Sequence, residues 1–222
     1  MNRKYQFVML LLWLAACGQV NQAYFPLGNG LYRQYVIEQQ VNSEKQVLKS
    51  IQTDLKPRVT EGITYYPRTH ANGETLYFRQ TTAGISVSSE PGKVGETVLG
   101  FPLQPGTSWQ METRIDILHR RHESFSGGES FINPDQKVVL DFQIASLDDQ
   151  VEVPVGRFIN CMRIEGRGGV KVEARTRGID HILIEQTDWY ARGIGLIKRI
   201  RTEKSVPAKY EGTLTQELEV VK

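Results

Sequence analysis

An all-β fold is predicted, one antiparallel, strongly curved sheet or open, flattened barrel of about ten strands. Three observations predict it. Short segments rich in β-branched and aromatic residues recur along most of the chain, and turn signals separate them. No stretch repeats its apolar residues at the 3.6-residue period of a helix.

The elements follow in order. Residues 36–55 are rich in Gln, Glu and Lys, but Val41, Val47 and Ile51 form no wide helical stripe, so this stretch reads as strand. Segments 63–67, 75–79, 84–88 and 109–117 alternate in polarity or carry Ile, Val, Tyr and Phe, as do 137–144, 170–174, 181–185 and 195–200. Asn72-Gly73, Pro91-Gly92, Gly127-Gly128, Asn133-Pro134 and Gly168-Gly169 read as the turns between them. Lys171, Glu173 and Arg175 fall on one strand face, opposite Val170, Val172 and Ala174, which describes a half-buried strand with a salt-paired solvent side. The cations Arg157, Arg163, Arg167, Lys171, Arg175 and Arg177 have a second reading, a patch for anionic lipid headgroups or glycan phosphates.

Phe25-Pro26-Leu27 with Gly30 recurs as Phe101-Pro102-Leu103 with Gly106, each followed by an aromatic residue, Tyr32 or Trp109. Proline fixes φ and glycine permits positive φ, so both copies suit a turn that opens a strand. Gly193 and Gly195 suit a sharp bend between two strands. They do not make a phosphate cradle, because no third glycine, P-loop lysine or following helix accompanies them. Val153-Pro154-Val155-Gly156 suits a turn into the strand that carries Phe158, Cys161 and Ile164. His119-Arg120-Arg121-His122-Glu123 has histidines three apart, which on a strand face opposite sides of the sheet; no metal site is expected there. No Gly-x-Ser-x-Gly elbow occurs, and no catalytic residue is assigned.

The amino terminus gives an address. Asn2-Arg3-Lys4 is a positive head, residues 7–14 are an unbroken apolar run, and Leu14-Ala15-Ala16-Cys17 closes it. The run is too short to span a bilayer and has the make-up of a secretory signal. Residues 1–16 are read as signal peptide, 17–23 as lipidated cysteine and short tether, and 24–222 as a single β domain. The Leu-Ala-Ala-Cys sequence resembles the bacterial lipobox, which implies acylation of Cys17 and a stable membrane anchor. Gly18 resembles the default outer-membrane sorting signal, so in a host with two membranes the expected location is the periplasmic face of the outer membrane. Loss of Arg3 and Lys4 turns 27 Lys+Arg against 25 Asp+Glu into equal numbers. A neutral mature chain excludes nucleic acid as an expected partner. With Cys17 acylated, Cys161 has no disulfide partner, and its apolar neighbours describe a buried, inert thiol.

The segments 101–109 (FPLQPGTSW), 153–164 (VPVGRFINCMRI) and 189–199 (WYARGIGLIKR) resemble, in this order, a broad group of bacterial secreted proteins and lipoproteins. The resemblance implies an antiparallel β fold, in some members similar to the half-barrel of periplasmic lipoprotein carriers.

Two functions are expected from this. The first is a membrane-anchored, non-catalytic binding or envelope-maintenance module, with a protein or lipid ligand on a concave face or sheet edge. The second is a lipid or lipoprotein carrier with an apolar cavity in a half-barrel. Trp109, Trp189, Tyr190, Arg192, Arg163 and Arg175 form the candidate structural or binding patch. No cofactor and no metal is expected.

Overall fold

The computed structural model describes residues 24–28, 30–93, 95–118, 136–174, 178–206 and 210–222. Outside the described residues lie the signal run 7–14, Cys17 and the tether 17–23, His119, His122, Glu123, Arg175, Arg177 and the turn signals Gly127-Gly128 and Asn133-Pro134.

Thirteen strands are present among the described residues: β1 (Tyr32–Val41), β2 (Glu44–Asp54), β3 (Arg58–Thr60), β4 (Ile63–His70), β5 (Thr75–Gln80), β6 (Gly84–Ser88), β7 (Glu96–Gly100), β8 (Ser108–Arg114), β9 (Lys137–Val153), β10 (Gly156–Ala174), β11 (Gly178–Ala191), β12 (Gly195–Val206) and β13 (Glu211–Val221). They build one sheet in the order β7-β6-β5-β4-β2-β1-β13-β12-β11-β10-β9-β8, with β3 beside β4 off this path. The two ends of the order meet, since the Glu112 N–H on β8 donates to the Glu96 carboxylate on β7 at 3.2 Å. The predicted curved sheet is therefore nearly closed into a barrel.

Strand β9 shows why the wall forms. Val138, Leu140, Phe142 and Ile144 are buried, while Lys137, Val139, Asp141 and Gln143 between them are exposed. A period of two puts every second side chain inside, and each aliphatic or aromatic group so buried contributes about 1.5–3 kcal/mol. Strands β9 and β10 are long, and their register shifts at Phe158, Cys161 and Arg163 bend the pair. Most of the apolar core lies in a cluster that includes Phe25, Phe78, Leu140, Phe142, Ile164 and Tyr190. A smaller cluster of Tyr35, Val151, Val153, Cys161, Ile197 and Leu218 packs near the β9–β10 and β11–β12 turns.

Three readings of the sequence are corrected. Residues 36–55 are two strands of a hairpin, not one: β1 and β2 pair from Val41↔Glu44 to Tyr32↔Thr53, and Asn42 turns the chain with φ 52°. Asparagine adopts the left-handed region more readily than other side chains, which lets Asn42 make this turn. Gly168-Gly169 is not a turn but lies inside β10. A Cβ on Gly168 would stand 2.3 Å from the Val139 carbonyl oxygen, and one on Gly166 would stand 2.4 Å from the Phe142 ring. These glycines serve the close approach of neighbouring strands. Residues 115–117 continue no ladder; Glu203 takes the backbone donors of Asp116 and Ile117, as described below.

Other turns are as expected. Asn72-Gly73 and Pro91-Gly92 turn between strands, and Pro154-Val155 turns β9 into β10. The backbone at Gly193 and Gly195 takes φ 73° and 95° between β11 and β12, and Gly30 and Gly106 in the two related turns take 75° and 92°.

The residues that open the domain fill the barrel. Tyr24 is 1% exposed, and Phe25 and Leu27 are buried with it. The Tyr24 hydroxyl donates to the Asn160 carbonyl at 3.0 Å, and the Phe25 ring packs 5.3 Å from Phe78 and 6.1 Å from Tyr190.

Candidate functional site

The barrel wall lines a partly open cavity of about 250 Å3. Its wall comes from both halves of the sheet: Gln52, Arg68 and His70 on β2 and β4; Leu76, Phe78, Val98 and Met111 on β5, β7 and β8; Phe142, Ile164, Asp188, Tyr190, Leu196, Arg199 and Gln216 on β9 to β13. Phe25 and Pro26 close it from the amino-terminal side. Cross-strand register explains the gathering of polar groups. Arg33 stands opposite Gln52, Gln52 opposite His70, and Asp54 opposite Arg68. Asp188 stands between Ile164 and Arg199, and Arg199 is opposite Gln216.

Charges inside the wall are paired with one another. Arg33 donates to both Asp54 oxygens at 3.2 and 2.9 Å and to the Ile194 carbonyl at 2.6 Å. Arg68 donates to the same Asp54 from its Nε at 2.5 Å, and its guanidinium lies 5.2 Å from the Phe25 ring centre and 4.7 Å from that of Phe78. Arg199 grips Asp188 through Nε and Nη2, both at 2.7 Å. Such forks are among the stronger polar contacts, and a buried charge persists only when it is held this way.

Proton affinities follow from these contacts. Burial pulls Arg68 below the usual arginine range, with Asp54 opposing. For Arg199 burial acts the same way, but the Asp188 carboxylate outweighs it and holds the group above its ordinary value. Burial pushes the Tyr35 and Tyr190 hydroxyls up, so both stay neutral in the physiological range. Burial also lowers His70, and its Nε2 is buried without a hydrogen-bond partner.

A second buried network lies further along β12. Glu203 is fully buried and accepts from the backbone N–H groups of Asp116, Ile117 and Leu118 at 2.9, 3.0 and 3.0 Å. Arg201 donates to Glu203 at 2.9 Å and to the Gln186 side chain at 3.2 Å, and it also reaches the Arg114 carbonyl. This network pins 115–118 to the wall. Among the described residues no three His, Cys, Asp or Glu side chains are grouped to hold a metal ion.

No family model matches this sequence, and no curated protein does. Among solved structures, a candidate exported protein with a YmcC-like fold from Bacteroides fragilis is similar at TM-score 0.43 and 12% identity, covering 90% of this chain and 99% of that one. A candidate lipoprotein from Parabacteroides distasonis is similar at TM-score 0.42 and 12% identity, covering 90% of this chain and 98% of that one.

The structure divides the patch predicted from sequence. Trp189 and Arg163 stand directly opposite on β11 and β10 and share Asp149: the indole N–H donates to it at 3.0 Å and the Arg163 Nε at 2.9 Å. Burial alone would raise Asp149, but hydrogen bonds from Ser146 and Trp189 and the Arg163 charge hold it below the usual carboxylate value. Arg163 also pairs with Glu165, and Arg167 lies 3.9 Å from both Glu165 and Glu185, so these β10 cations are salt-paired on a solvent-facing side. Lys171 is exposed and Val172 buried, as the alternation requires. Tyr190 belongs to the cavity wall, and Arg192 sits 4.7 Å above the Tyr24 ring. Trp109 is elsewhere, stacked on Phe142 with ring centres 5.8 Å apart.

Sequence reasoning missed Arg33, Asp54, Arg68, Asp188 and Arg199. A signal existed for one of them. Ile182, Ile184, Gln186, Asp188 and Tyr190 are in phase along β11 and all buried, so a carboxylate on an apolar face marks an inward charge.

Proposed function

We propose that this chain is an exported, lipid-anchored bacterial protein that acts without catalysis, holding a small ligand inside its barrel beside a membrane. The observation that carries the reading is the cavity of about 250 Å3, with an apolar wall and a few converging polar groups. That combination is the usual character of a ligand site.

The address comes from the sequence: the apolar run 7–14 and the Leu-Ala-Ala-Cys17 closure. Two or more acyl chains on Cys17 give a lasting anchor. Fully extended, the six residues between Cys17 and Tyr24 reach at most roughly 20 Å, at about 3.4 Å per residue. Tyr24 seals the barrel beside Phe25 and Asn160, so the anchor keeps this end of the domain near the bilayer. In a two-membrane host, the expected site is the periplasmic face of the outer membrane.

The carrier reading is narrowed by the same cavity. It lies below the roughly 300–1,000 Å3 typical of drug-sized ligand pockets. A single small molecule fits that space better than the three acyl chains of a lipoprotein.

Native purification of the acylated protein, followed by mass spectrometry of the intact chain and of what travels with it, tests both halves. Acyl chains on Cys17 and one small co-purifying molecule are expected. Cys17→Ser is expected to leave unprocessed, unlipidated precursor. A native first residue without acyl chains would remove the anchor. A barrel that takes up no small molecule would remove the binding role.

A further inference from the structure

We infer that the cavity receives a small amphiphilic anion, a carboxylate on one apolar chain, with the carboxylate at Arg68 and Arg199 and the chain among Leu76, Val98, Met111 and Phe142. This rests on the binding role proposed above and gives its ligand a chemical class.

The charge balance around the cavity points there. Three guanidinium groups, Arg33, Arg68 and Arg199, meet two carboxylates, Asp54 and Asp188. Arg199 and Asp188 satisfy each other through a two-point fork. Arg33 covers both oxygens of Asp54, and Arg68 shares one of those same oxygens. Among these five groups one positive charge is in excess, and it falls to side chains that are largely withdrawn from water, Arg68 at 11% and Arg199 at 30% exposed, where solvent screens a charge less than at the open surface. Among the described residues no carboxylate besides Asp188 lines the cavity; Asp116 also acts on Arg199, but its side chain is 57% exposed and lies beside Arg201, outside the cavity wall. Tyr35 and Tyr190 stay protonated, and His70, whose lowered affinity for protons leaves it neutral, adds an unpartnered Nε2 to the same wall.

Geometry selects the ligand further. Nη1 of Arg68 and Nη1 of Arg199 have no hydrogen-bond partner among the described residues. Guanidinium N–H groups match a carboxylate in shape and charge. A single excess charge calls for a monoanion. The opposite wall, from Leu76 through Val98 and Met111 to Phe142, offers no charged group. It suits hydrocarbon, and about 250 Å3 limits that hydrocarbon to one short chain.

The experiment uses the full-length acylated protein in lipid nanodiscs, with protein-free nanodiscs as the blank. Octanoate, octanol and octyltrimethylammonium are titrated by calorimetry. Octanoate is expected to bind at least about ten-fold more tightly than octanol, and the cation not at all. Arg68→Gln removes the excess charge while leaving the Arg33–Asp54 pair; it is expected to abolish the preference for octanoate and to spare octanol binding. Leu76→Trp fills the cavity without touching a charge and is expected to weaken both ligands, which keeps the test open if Arg68→Gln fails to fold. Equal binding of octanoate and octanol would overturn the anion site and leave the binding role standing. Absence of binding by all three probes, unchanged by Leu76→Trp, would overturn the binding role itself.

Discussion

Arg33 and Asp54 face each other through two hydrogen bonds, at 3.2 and 2.9 Å, with side chains only 1% and 2% exposed. The pair joins β1 to β2 beneath the amino-terminal segment, and Arg68 of β4 leans on the same carboxylate. Asp54→Asn leaves two guanidinium groups facing a neutral amide. Removing one partner of a buried pair costs about 3–5 kcal/mol, and that loss is expected here in urea unfolding. Arg68→Gln is expected to cost less, because Arg33 still satisfies the carboxylate. An equal loss from both variants would mean that Arg68, and not Arg33, is the main partner of Asp54.

Glu203 acts as a cap for a segment that has no ladder of its own. Its carboxylate takes three backbone N–H groups, from Asp116, Ile117 and Leu118, beside the Arg201 guanidinium. Glu203→Gln retains the shape but loses the charge and one acceptor. The expected effect is a loss of about 3–5 kcal/mol with faster amide hydrogen exchange at 116–118. Unchanged exchange at those amides would show that the segment is held by its apolar residues, Ile115, Ile117 and Leu118, alone.

Gly166 makes room for the aromatic stack. A Cβ there would lie 2.4 Å from the Phe142 ring, on which Trp109 is stacked. Gly166→Ala is expected to destabilise by about 1–3 kcal/mol through overpacking. Adding Phe142→Leu is expected to restore part of that loss, because the smaller side chain vacates the contested space. Strictly additive losses in the double variant, read from thermal unfolding, would place the strain in the backbone instead.

The wall of the barrel was legible in the sequence and its contents were not. Alternation in 137–144 announced β9, and Gly193 and Gly195 announced the bend into β12, because both features depend on a residue and its immediate neighbours. The cavity depends on register. Asp54 meets Arg68 only because β2 pairs with β4, and Asp188 meets Arg199 only because β11 pairs with β12 at that alignment. A shift of one residue in either pair would send those side chains to the other face. Gly168-Gly169 misled for a related reason: without knowing that Val139 and Ile182 flank it closely, two glycines look like a turn.

Cys161 offers a test in which pH has a definite sign. The thiol is fully buried in the smaller apolar cluster, and burial, helped by the nearby Asp149 charge, pushes it from 9.0 up to about 11. The folded chain therefore keeps its proton to higher pH than the unfolded chain does. Stability from this group is complete below about pH 9 and is lost as pH rises toward about 11, because only the unfolded thiol ionises in that window. Alkylation by iodoacetamide at pH 8 is expected to be slow in the folded protein and fast in denaturant, since the thiolate is the reacting form and the sulfur is enclosed. Cys161→Ala is expected to remove the alkaline loss while lowering stability at neutral pH by the cost of a small cavity. Rapid labelling of the native protein would mean that the cluster of Tyr35, Val151 and Leu218 opens far more readily than its packing indicates.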